Sequence, residues 1–154
     1  MNDAEAIERC IELAAESAHR GNHPFGALLL RDGQLIAEGD NRVLTDMDPT
    51  GHAEVVAIRN AWRALGALEL ADCTLYSSCE PCMICSTVIR LARIPRVVFA
   101  AHATSDYGGY SSKHPILRID DIERFGPPPA VVAGLLADRS LALWAQLGWP
   151  EPGH

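Results

Sequence analysis

The sequence predicts an α/β protein: a three-layer sandwich with helices on both faces of one sheet. Three observations predict it. Segments of helical and of strand periodicity alternate along the chain. Leu28-Leu29-Leu30 and Arg96-Val97-Val98-Phe99-Ala100 are too continuously apolar for strands with one wet face, so the sheet is expected to be covered on both sides. The length of 154 residues suits one compact domain over 1–154.

The first helix is expected from Asp3 to Arg20, where Ile7, Cys10 or Ile11, Ala14 and Ala18 recur at helical spacing and Gly21-Asn22 ends the pattern. Ala27–Leu30 and Gln34–Ala37 flank Arg31-Asp32-Gly33, a hairpin signal. Polar residues from Asp40 to Gly51 read as a loop. A second helix is expected over Ala53–Leu65, burying Val55, Ile58, Trp62 and Leu65 on one face, with Gly66 as its C-terminal cap. Thr74-Leu75-Tyr76-Ser77 reads as a strand. Pro81 is expected at the first position of a third helix reaching Ala92, and Arg96–Ala100 follows as a buried strand. His102 to Pro115 reads as a loop and Gly126-Pro127-Pro128-Pro129 as a stiff connector. Val131-Val132 and Asp138–Leu147 are the last strand and helix.

Composition narrows the function. Hydrophobic residues make up 48% and charged residues 21%, which excludes a disordered or fibrous chain. The net charge of −7 is opposite to the basic footprint of a dedicated nucleic-acid binder. No apolar run is long enough for a membrane span, and Met1-Asn2-Asp3-Ala4-Glu5 does not read as a signal peptide. Five cysteines, an odd number, favour reduced thiols and a cytoplasmic location.

Two segments carry chemistry: Gly51-His52-Ala53-Glu54 and Ser78-Cys79-Glu80-Pro81-Cys82-Met83-Ile84-Cys85. Each should sit at a helix N-terminus, whose partial positive charge favours the thiolate form that zinc requires. Cys82 and Cys85 share one helical face. With His52 they make a set of one imidazole and two thiolates that leaves a tetrahedral ion one open position. That is the catalytic pattern, in which a water becomes a usable nucleophile near neutral pH. Glu54 can reach such a water without binding the metal and carry its proton. Cys79, Cys82 and Cys85 also spell Cys-x2-Cys-x2-Cys. An iron–sulfur cluster, a redox pair and a closed structural zinc site with Cys79 as fourth ligand therefore stand as other readings.

The arrangement His-x-Glu followed by Pro-Cys-x-x-Cys is the zinc deaminase signature. On these motifs, together with Pro24-Phe25-Gly26-Ala27, Glu38-Gly39-Asp40-Asn41 and Asp48-Pro49-Thr50, the chain resembles the cytidine deaminase-like superfamily. It is most similar to the short bacterial branch of guanine, cytosine and tRNA adenosine deaminases, roughly over Ile7–Ala100. The resemblance implies a mixed five-stranded sheet and one zinc ion held by His52, Cys82 and Cys85. It also implies Glu54 as the catalytic carboxylate, Asn41 as a substrate contact, and backbone donors at Ala53 and Cys82. Phe25, Trp144 and Tyr110 are further candidates for substrate contact. The implied reaction is hydrolytic deamination of a small nucleobase-like molecule, guanine first and cytosine second. Nucleosides and tRNA adenosine are the alternatives, and a catalytically silent zinc domain is a remote one. Members of the branch are commonly homodimers, and some exchange a C-terminal segment, which here would begin near 127.

Overall fold

The structure, a computed structural model, describes residues 1–102 and 125–149. Asn2 and Glu5 form a reciprocal capping box that starts α1 (Asp3–His19). Two strands follow, β1 (Gly26–Arg31) and β2 (Gln34–Asp40). Asp32 (φ 51°) and Gly33 (φ 74°) join them through a two-residue turn in the left-handed region, as a type I′ hairpin requires. Next come α2 (Ala53–Leu65), β3 (Thr74–Cys79), α3 (Met83–Leu91), β4 (Arg96–Ala101), β5 (Ala130–Ala133) and α4 (Ala137–Leu147). The His102–Pro115 loop lies, beyond His102, outside the described residues.

The strands form one sheet in the order β2-β1-β3-β4-β5. β1 runs antiparallel to β2 and β3, while β3, β4 and β5 run parallel, so the sheet is mixed as expected. Alternate residues divide between two cores. Ala27, Leu29, Leu75 and Val97 pack with Ala53, Ala57, Ala61 and Ile89 of α2 and α3. Leu28, Leu30, Tyr76 and Val98 pack with Ile7, Cys10 and Ile11 of α1 and with Leu143 of α4. Below the sheet, Arg96 and Tyr76 both hydrogen-bond Asp3, which ties the start of α1 to β3 and β4. Those bonds, led by that from Arg96, hold the Asp3 carboxyl below its usual range. Burial pushes the Tyr76 phenol up to about 12.

Two expectations need correction. Ile58 is fully buried and Trp62 and Leu65 pack against the same core, but the fully buried stripe of α2 also takes in Ala53, Ala57 and Ala61, and Val55 is not part of it. The reason is proximity: a Cβ at Gly39 of β2 would collide with the Ala53 carbonyl and the Ala57 amide, so only small side chains fit where positions 53 and 57 face β2. Second, α3 begins at Met83 rather than Pro81. Cys82 is its extended N-cap (φ −70°, ψ 178°), and the Pro81 carbonyl instead accepts a hydrogen bond from Ser86 Oγ at 3.2 Å.

Candidate metal centre

Residues at the starts of two neighbouring helices build the site. His52 is the N-cap of α2 and Cys82 the N-cap of α3, and neither side chain caps its own helix. Both are therefore available to a ligand. Cys85 follows one turn into α3, on the same side as Cys82. The Sγ atoms of Cys82 and Cys85 are 3.6 Å apart, and His52 Nδ1 lies 3.4 Å and 3.5 Å from them. A tetrahedral zinc ion with ordinary bond lengths separates two sulfurs by about 3.8 Å and sulfur from nitrogen by about 3.6 Å. The three donors thus fit a zinc ion without rearrangement. His52, Cys82 and Cys85 are the one group of three metal-ligating residues among the described residues.

The donors also interact with one another. The hydrogen bond from Cys85 brings the Cys82 thiol down to about 4, aided by His52 against burial. The same bond raises Cys85, and burial adds to it. His52 is raised, chiefly by its contact with Cys82.

Glu54 occupies the first turn of α2 and is 6% exposed. Burial raises its carboxyl above the usual 4.5. Its Oε2 lies 3.3 Å from Cys85 Sγ, beside the cluster. Its Oε1 accepts a hydrogen bond from Ser77 Oγ at 2.9 Å. Ser77 belongs to none of the motifs; its signal in the sequence is two consecutive serines inside an otherwise apolar, doubly covered strand.

Asn41 is buried at the end of β2. Its N–H donates to the Phe25 carbonyl at 3.0 Å, and its own carbonyl accepts from Ser17 Oγ at 2.8 Å. Its Oδ1 accepts from Val43 N–H at 3.2 Å, closing a local turn. Ala53 is fully buried at the first position of α2, where a helix leaves its N–H without an intrahelical acceptor. Phe25 meets Trp144 and Trp149 edge to face, with ring centroids 5.8 and 5.6 Å apart. Trp144 is 2% exposed, packs with Cys79 and Ala101, and donates its indole N–H to the Pro24 carbonyl. Phe25 is thereby held from behind by α4. Tyr110 lies outside the described residues. Cys79 is buried in that packing and stands apart from the ligand group.

Residues 1–101 match the family model of the cytidine and deoxycytidylate deaminase zinc-binding region. By class the protein is a hydrolytic deaminase. A guanine deaminase of Bacillus subtilis (strain 168) is 50% identical over 105 residues, 68% of this chain and 67% of that one. Its crystal structure superposes with a TM-score of 0.65 over 66% of each chain, so the alignment spans about two thirds of that relative. A tRNA-specific adenosine deaminase of Aquifex aeolicus (strain VF5) is 38% identical over 68% of each chain. A structure from work on A-to-I editing by tRNA:A34 deaminases is 32% identical, with a TM-score of 0.79 over 90% of this chain and 98% of that one. The chain belongs to the cytidine and deoxycytidylate deaminase family. Among the described residues, no helix is long and apolar enough to cross a membrane.

Proposed function

We propose that the protein deaminates a free nucleobase, with guanine as the first candidate and cytosine as the second, using one zinc ion per chain. The observation that carries the reaction is the convergence of Glu54 Oε2 on a His52/Cys82/Cys85 cluster of zinc dimensions. The substrate rests on the 50% identity to a guanine deaminase.

When bound, zinc supplies a Lewis acid that makes water a nucleophile near neutral pH. His52 Nδ1 and the thiolates of Cys82 and Cys85 would hold it. Glu54 takes one proton from the attacking water and delivers it to the ring nitrogen, then moves the second proton, from the newly formed hydroxyl, to the amine. The ring carbon gains oxygen, its bond to the exocyclic nitrogen breaks, and ammonia leaves. The turn bond occupies Asn41 Oδ1, which leaves the amide N–H2 to donate to an acceptor on the ring edge. Phe25 supplies an apolar face for a flat ring.

Two observations favour a small substrate over tRNA. The net charge is −7. Near Asn41, Arg20 and Arg42 both pair with Asp40, and Arg59 lies 3.9 Å from Asp48, so carboxylates already engage the cations that phosphates would need. The tRNA reading is second, favoured by the superposition over 90% of the chain. The five free cysteines accord with action in the cytoplasm. Met83, Ile84 and Leu91, exposed on α3, support a homodimer.

The test is ammonia release by zinc-loaded protein from guanine, cytosine, adenine and their nucleosides. Release from guanine is expected. E54Q should retain zinc and lose about 10²- to 10⁴-fold in rate. Silence across the panel with inosine formation in an anticodon stem-loop would replace this reading by the tRNA one. Full activity of E54Q would overturn the mechanism.

A further inference from the structure

Strand β3 carries two consecutive serines, Ser77 and Ser78, both fully buried. A buried hydroxyl is unfavourable unless it is hydrogen-bonded. Ser78 serves the fold. Its Oγ accepts from Gly26 N–H at 3.1 Å, and its carbonyl accepts from Ser140 Oγ of α4 at 2.7 Å. Ser77 projects to the opposite face and serves Glu54.

The Ser77 hydroxyl is directed by its surroundings. It accepts from Cys79 N–H at 3.3 Å, which occupies one lone pair, and donates to Glu54 Oε1 at 2.9 Å. Its backbone is fixed from both sides, opposite Ala27 of β1 and Phe99 of β4. The carboxylate is thereby divided: Oε1 is held by the sheet, and Oε2 stands 3.3 Å from Cys85 Sγ at the ligand cluster. Glutamate χ3 is a broad, soft torsion. Without a partner on Oε1, the carboxylate can rotate about it and present either oxygen at a range of angles.

We propose that Ser77 is a positioning residue for the deamination: by engaging Oε1 of Glu54 it reserves Oε2 for proton transfer. A hydroxyl suits this task because it both donates and accepts. It stays a partner when Glu54 is a carboxylate and when Glu54 carries the proton on Oε2. This inference rests on Glu54 being the proton carrier.

The experiment compares S77A, S77T and S77C with the wild type and E54Q, all zinc-loaded. S77A is expected to lower kcat about 10- to 100-fold, the usual cost of losing a hydrogen-bond partner one step outside a metal site. KM should stay within about twofold and the zinc content unchanged, because no ligand and no substrate contact is removed. S77T, which keeps the hydroxyl, should restore kcat. S77C keeps the volume and weakens the donor, so it should reproduce the S77A pattern and serves if S77A does not fold. A second readout is independent of turnover. The infrared difference between wild type and E54Q isolates the Glu54 carboxyl band, which should shift in S77A and return in S77T. Wild-type kcat and an unmoved band in S77A, with E54Q inactive, would overturn the proposal for Ser77 alone. Loss of zinc in S77A would overturn it in favour of a structural role. An active E54Q would remove the reading of Glu54 on which it depends.

Discussion

At the residue scale, several side chains in the site serve the fold and the proposed chemistry at once. Asn41 is the sharpest case. Its backbone ties β2 to Phe25 and to α1, its Oδ1 closes a turn onto Val43, and only its amide N–H2 is left for a ligand. Substitution can separate these roles. In N41S a hydroxyl can still accept the Val43 N–H in the weaker Ser/Thr version of the same turn, while the amide donor is gone. We expect unfolding stability within about 1 kcal/mol of wild type, since one neutral hydrogen bond is weakened and not abolished. We expect kcat/KM to fall about tenfold or more, because a buried substrate acceptor would lose its donor. Denaturant unfolding and steady-state kinetics on the same preparation check it. Equal losses in both would make Asn41 a turn residue only.

At the element scale, what a single sequence reveals follows from how local the cause is. The candidate ligand cluster was legible because metal binding needs side chains of fixed chemistry at fixed positions: Cys82 and Cys85 lie one helical turn apart, and the structure brings His52 beside them. The hairpin was legible because Asp32-Gly33 can adopt the backbone it requires. The buried face of α2 was legible only in part. Hydrophobic periodicity finds Ile58, Trp62 and Leu65, which pack in the core, but not Ala53, Ala57 and Ala61, which are buried because Gly39 allows the helix backbone to lie almost against β2. That requirement comes from a strand more than ten residues away. Ser77 was hidden for a related reason: its partner, Glu54, lies 23 residues earlier and on another element. The close approach at Gly39 predicts a specific failure. In G39A the new methyl meets main-chain atoms that cannot rotate aside, so destabilisation of about 3 kcal/mol is expected. The start of α2 should shift, carrying His52 and Glu54 away from Cys82 and Cys85, and zinc content should fall. Gly66 caps the other end of α2 at φ 62° with open space around it. G66A should cost only about 1–2 kcal/mol, from the left-handed backbone, and leave zinc unchanged. Equal zinc loss in both variants would show general instability rather than a displaced helix.

At the scale of the whole molecule, the question is how the C-terminal segment completes the site. In the structure, β5 adds to the edge of β4, and α4 closes over the sheet through Ser140 to Ser78, Arg139 to Glu8 and Trp144 to Pro24. If the segment after Gly126 were exchanged in a dimer, the same contacts would join two chains, and separating the chains would strip α4 from both. Trp144 can report the difference, since it is 2% exposed while packed. Dilution of the protein, followed by light scattering and tryptophan emission together, distinguishes the two arrangements. Packing within one chain predicts that the mass can fall to that of a monomer with no red shift. Exchange predicts a red shift that tracks the fall in mass and is reduced in W144F, the remainder coming from Trp149, which also packs on Phe25. We expect the first outcome. Phe25 leans on Trp144, and a monomer that keeps α4 in place also keeps that wall of the site. Ammonia release per chain should then stay constant across the dilution. A loss of activity that follows the red shift would instead make the exchanged segment a requirement for catalysis.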